Sequence, residues 1–214
     1  MRLFIGLEPT PDFRAALSEL QTRLRAAGIV GRFLLPENLH MTLAFIGEWP
    51  EDVTDALPVV TEPFSIRLSR PGIFPKAKVL WAGVEPSREL YALATDVRKR
   101  LDILAVPYDR QAFNPHITLI RKPILPSAET LASIQTVSAT MIVREVCLYQ
   151  SVHEAEGLKY TVIGRSKIQG SEHELNQQHI GYRARENAQQ GIALPGLKED
   201  DEKPRDQLRH TEGR

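Results

Sequence analysis

The first apolar run, Leu3, Phe4, Ile5 and Leu7, reads as a strand over Arg2–Leu7 that opens the fold. Thr10 is then an N-cap with Pro11 at the first helical position. Phe13, Ala16, Leu17, Leu20 and Leu24 recur at helical spacing, and Gly28 stands where a helix stops. A short strand over 29–35, interrupted by Gly31, ends at Pro36. Apolar and polar residues then alternate over 40–46, a strand closed by Gly47, and 51–60 has room for a short helix.

The plan is then restated loosely. Phe64, Ile66 and Leu68 alternate as a half-buried strand, and Pro71-Gly72 marks a turn. Val79–Val84 is a buried strand around Trp81. A helix follows from Ser87, with Leu90, Leu93, Val97 and Leu101 on its apolar face. A strand from His116 runs into a loop punctuated by Pro123 and Pro126, and two more strands are expected over 140–150 and 158–165. Short turns and alternation favour antiparallel pairing. The pattern predicts an α+β domain over 1–168, made of two similar lobes of antiparallel sheet plus helices around a central groove. Residues 169–214 are rich in Gln, Glu, Asp and Arg, with Tyr182 their one aromatic residue. Such a tail buries too little apolar surface to offset chain entropy, so it is expected to be disordered and dispensable for any chemistry of the body. Its histidines, His173, His179 and His210, lack zinc-site spacing.

One unit occurs twice. Asn38-Leu39-His40-Met41-Thr42-Leu43 and Asn114-Pro115-His116-Ile117-Thr118-Leu119 both read Asn, any residue, His, apolar, Thr, Leu. On a strand, His40 and Thr42 point one way and Met41 and Leu43 the other. The same holds for His116 and Thr118. Two imidazoles facing a groove serve as general acid and base near neutral pH, since an unperturbed His titrates at about 6.5. Two Thr hydroxyls beside them hold a small anion.

Composition narrows the partners. Basic and acidic side chains number 27 each, so any attraction for phosphate is local. Cys147 is the only cysteine, which fits a reducing compartment and precludes an internal disulfide. The apolar start is too short for a signal-peptide core, and no run is long enough to span a membrane. A soluble, cytoplasmic monomer is expected. No third His, Cys or carboxylate stands at metal-ligand spacing from the paired histidines, and no glycine-rich phosphate loop is present. Neither a metal nor another cofactor is therefore expected.

The doubled motif, with Arg2-Leu3-Phe4-Ile5, Pro36-Glu37 before the first copy, Leu43 to Glu48, Val79 to Gly83, Phe113 to Arg121, Leu148 to Ser151 and Tyr160, resembles the two-histidine (2H) phosphoesterases. Within them the chain is most similar to the bacterial RNA 2′,3′-cyclic phosphodiesterases, also called 2′-5′ RNA ligases. The resemblance covers about the first 165 residues. It implies hydrolysis of RNA 2′,3′-cyclic phosphate ends to 2′-phosphate, with His40 as proton donor and His116 as acceptor. It also implies phosphate binding by Thr42, Thr118 and Arg121, and base stacking on Phe4 and Phe45. Strand parity turns Arg121 away from His116 and Thr118, so it must reach the groove from a bulge or a strand end. Tyr149 and Ser151 are read as structural and His153 as surface. Two alternatives keep the pocket. One is a 2H phosphodiesterase for a small cyclic nucleotide, and the other a non-catalytic module for RNA ends or nucleotides.

Overall fold

The structure is a computed structural model that describes residues 1–127, 129–154 and 157–166. Thr10 caps helix α1 (Pro11–Ala26) by accepting from the Phe13 amide, and Gly28 at φ 81° takes the chain out of it. Ser87 likewise accepts from the Leu90 amide to cap α2 (Arg88–Ile103). A four-residue α3 (Thr130–Ser133) is the third helix of the described residues.

The nine strands of the described residues are β1 (Arg2–Leu7), β2 (Val30–Phe33), β3 (Met41–Glu48), β4 (Phe64–Phe74), β5 (Val79–Val84), β6 (His116–Ile124), β7 (Thr140–Val143), β8 (Cys147–Glu154) and β9 (Gly157–Arg165). They run β7-β4-β5-β6-β3-β1-β8-β9, with β2 also on β6. Every pairing is antiparallel. The two halves of the path meet where β3 touches β6, at the single pair Met41 and Ile117.

Each lobe borrows from the other half of the chain. β2 leaves the first half to pair with β6, while β8 and β9 return to extend the sheet beside β1. The helices are exchanged as well. Gln21 of α1 donates from Nε2 to the Leu119 carbonyl at 3.1 Å, so α1 lies over β6. Arg98 of α2 donates from Nε to the Leu43 carbonyl at 3.3 Å, so α2 reaches β3. The two donors occupy the same place in helices of equal length, and the two acceptors the same place in the repeated motif.

Those carbonyls mark a bulge in each motif strand. Leu43 and Ala44 are both buried, as are Leu119 and Ile120, where strict alternation would bury one of each. The β5–β6 register slips at the second position, between Leu80–Ile120 and Trp81–Thr118. At the first, the β1–β3 register slips between Ile5–Ala44 and Gly6–Thr42.

Three elements differ from the sequence pattern. Pro71-Gly72 does not turn the chain, because β4 runs straight through it and takes up the irregularity as a register shift between Leu68 and Pro71. The strand expected over 140–150 is broken at residues 144–146, so β7 pairs with β4 and β8 with β1. The helix expected over 51–60 is only a 3₁₀ turn at Thr54–Ala56. The tail over 169–214 lies outside the described residues. Among the described residues, no helix is long and apolar enough to cross a membrane.

Candidate active site

Met41 and Ile117 are 1% and 2% exposed, so their side chains point into the core. Continuing their antiparallel register by one step sets His40 across from Thr118 and Thr42 across from His116. All four lie on the face opposite the core pair and are half-buried. His40, Thr42 and Thr118 line one pocket of about 330 Å³. Thr42 and His116 line an adjoining pocket of about 140 Å³, and Phe45 is in both walls.

The histidines are held alike. Nδ1 of His40 lies 2.8 Å from the Asn38 carbonyl, and Nδ1 of His116 lies 2.6 Å from the Asn114 carbonyl. A carbonyl only accepts, so each Nδ1 carries a proton and each neutral ring leaves Nε2 as a free acceptor. The main-chain carbonyl two residues before each histidine thus fixes its tautomer, whichever side chain that position carries. Only Asn38 also uses its side chain, donating to the Leu158 carbonyl at 2.9 Å and accepting from the Tyr160 amide at 3.0 Å. It clips β9 to the first motif.

Burial lowers the His40 imidazole from 6.5 to about 4; the Asn38 carbonyl opposes this, and the positive charges of Arg121 and His116 add to it. His116 is lowered too, by burial against the support of the Asn114 carbonyl. Both rings are therefore neutral at pH 7 in the free pocket. The phenol of Tyr149, pushed up mainly by burial, stays protonated.

Arg121 reaches the pocket of His40 through the bulge at Leu119-Ile120, which reverses its parity. Its Nη2 donates to the Tyr160 hydroxyl at 3.4 Å. Phe45 reaches the pocket in the same manner through the bulge at Leu43-Ala44, with the Arg2 guanidinium 5.2 Å over its ring. Phe4 lies in the wall of the same pocket. It stacks on Tyr149 at 4.7 Å, meets His40 at 4.5 Å and is 3% exposed, so it forms a floor under the imidazole. Tyr160 packs edge-on to His40 at 4.8 Å. His116 is flanked by Phe74 at 5.0 Å and Trp81 at 6.1 Å.

Arg2, Arg32, Ser151, His153 and Tyr160 also line the larger pocket without having been singled out for it in the sequence. Ser151 and His153 lie on the same strand, β8, where alternation turns both to one face, so His153 belongs to the pocket wall and not to a surface loop. Period two from Tyr149 carried that signal. Among the described residues, Glu8, Glu145 and Cys147 bring potential ligand atoms together. Arg165 pairs with both carboxylates and donates to the Cys147 sulfur at 3.4 Å, and Arg14 pairs with Glu8 at 3.5 Å, so two arginines neutralise the two carboxylates of a structural contact.

The chain matches the family model of the 2′-5′ RNA ligase superfamily over residues 9–154. An RNA 2′,3′-cyclic phosphodiesterase of Archaeoglobus fulgidus is 31% identical over 75% of this chain and 96% of its own length. Another of that name from Geobacillus stearothermophilus is 28% identical over 78% of this chain, and the match spans 57% of that protein. The crystal structure of Escherichia coli LigT complexed with 3′-AMP has a TM-score of 0.65 at 25% identity, covering 78% of this chain and 98% of LigT. With two matched His-x-Thr strands meeting at one seam of an antiparallel sheet, this chain belongs to the 2′-5′ RNA ligase superfamily, the 2H phosphoesterases, among its RNA 2′,3′-cyclic phosphodiesterases.

Proposed function

We propose that this chain hydrolyses 2′,3′-cyclic phosphate ends of RNA to 2′-phosphates by acid–base catalysis from two histidines, without a metal. The observation that carries this reading is the pairing of two imidazoles with identical tautomers, each opposite the threonine of the other motif. His116 Nε2 takes a proton from water as its oxygen attacks phosphorus. The bond from phosphorus to the 3′ oxygen breaks, and His40 delivers its Nε2 proton to that oxygen. Thr42 and Thr118 donate to the non-bridging oxygens, and Arg121 balances the charge that builds there.

The bound diester carries a negative charge, and a negative charge beside a buried imidazole favours its protonated form. Substrate thus raises His40 from about 4 toward the range in which an acid is useful. If a 5′ hydroxyl replaces water, the same proton transfers close a 2′-5′ linkage without ATP.

The test is turnover of 2′,3′-cyclic AMP with and without a chelator, the product being identified by phosphorus NMR. Chelator-insensitive formation of 2′-AMP is expected. Binding without turnover would instead describe a nucleotide-binding module.

A further inference from the structure

Arg32 on β2 and Arg121 on β6 are direct cross-strand partners. Like charges placed opposite each other in an antiparallel pair cost stability. Among the described residues, Arg32 has no ion pair or hydrogen bond, and no carboxylate lines either pocket the two arginines share. One is the His40 pocket. The other is a second cavity of about 260 Å³, separated from the first by Arg121, Leu158 and Tyr160. Its remaining wall is formed by Phe33, Leu34 and Leu35 together with Asn38 and Gly157, and Leu35 is 56% exposed.

A positive threshold between a catalytic pocket and one with apolar side chains in its wall matches the alternation of a nucleic-acid strand, phosphate and then base. Resting on the function proposed above, we infer that the second cavity holds the nucleotide that precedes the cyclic end. Its linking phosphodiester lies on Arg32, and its base lies against Leu35 and Phe33. The preferred substrate is then an RNA end of at least two nucleotides and not a cyclic mononucleotide. The unpaired arginine at the threshold receives its countercharge from the substrate.

The experiment compares kcat/KM for 2′,3′-cyclic AMP and for the dinucleotide ApA ending in a 2′,3′-cyclic phosphate. The wild-type chain should favour the dinucleotide by about tenfold or more, the worth of one charge-assisted phosphate contact. Its preference should fall as salt rises, since a phosphate contact releases counterions. Arg32→Ala should bring the ratio of the two values close to one. Leu35→Glu, which sets a negative charge in the second cavity alone, should lower the dinucleotide value about tenfold and leave the mononucleotide value within about twofold. Equal wild-type values, or variants that lower both substrates alike, would overturn the inference. If neither substrate turns over, the catalytic reading fails. The same comparison is then made on binding of 2′-AMP and of ApA ending in a 2′-phosphate. Tighter dinucleotide binding that depends on Arg32 upholds the subsite, and equal binding overturns it.

Discussion

Met41 and Ile117 form the only registered pair between β3 and β6, and they hold the two motifs in phase. A slip of one residue there would turn the histidine of the slipped strand into the core, away from its partner. The seam is also held from behind. A Cβ on Gly6 would stand 2.4 Å from the Met41 carbonyl oxygen, so β1 can approach the motif strand only because that residue is glycine. Gly6→Ala is expected to cost about 1–3 kcal/mol of stability, as overpacked sites do, and to lower kcat by displacing His40 and Thr42. Urea unfolding and steady-state kinetics measure the two effects.

The repeated asparagines predict an unequal pair of mutants. Asn38→Ala keeps the carbonyl that holds His40 but strands the Leu158 carbonyl and the Tyr160 amide. A loss of about 1–3 kcal/mol is expected. Asn114 has an exposed side chain with no hydrogen bond among the described residues, so Asn114→Ala should change stability by less than about 0.5 kcal/mol. Equal effects in chemical denaturation would contradict the clip on β9.

Much of this arrangement is legible in the sequence. Helical spacing from Phe13 to Leu24 and from Leu90 to Leu101 marks both long helices, and Thr10 and Ser87 mark their starts. The doubled hexapeptide places the His and Thr pairs. What the pattern hides depends on distant partners. The bulges that bring Phe45 and Arg121 to the groove lie where side chains of α2 and α1 take up the Leu43 and Leu119 carbonyls, 55 and 98 residues away. Pro71-Gly72 has the composition of a turn, but the pairing of Pro71 with Ala82 and of Gly72 with Trp81 on β5 keeps it extended. Tyr160 and His153 gain a place in the pocket only once β8 pairs with β1 and β9 with β8.

Phosphate binding should divide unequally among its donors. Arg121→Ala removes a charge-assisted contact and is expected to lower kcat/KM by about 10- to 100-fold. Thr42→Ala and Thr118→Ala each remove one neutral hydrogen bond and should cost about tenfold or less. Kinetics with a 2′,3′-cyclic nucleotide rank the three. An Arg121→Ala enzyme with unchanged kcat/KM would remove that residue from the site.

The depressed histidines set two pH dependences. The folded His40 titrates near 4 and its unfolded form near 6.5, so the unfolded chain takes up the proton first as pH falls. The stability tied to this group is present above pH 6.5 and is lost between about 6.5 and 4. His116, lowered in the same direction, adds to the loss. A His40→Phe variant should show a shallower decline in denaturation midpoints over that window. In catalysis, kcat/KM reports the free enzyme and should peak below pH 6.5, while kcat reports the complex, whose bound anion shifts its profile upward.

In the proposed mechanism His40 and His116 act as one acid–base unit. The most direct test is a double-mutant cycle of turnover on a 2′,3′-cyclic phosphate substrate, with product-nucleotide binding measured alongside. His40→Ala and His116→Ala should each reduce kcat by about two to four orders of magnitude. The double variant should be little worse than either, and product binding should weaken far less, because Thr42, Thr118 and Arg121 remain. Near-normal turnover in His116→Ala, or single losses that simply multiply in the double variant, would contradict the paired mechanism.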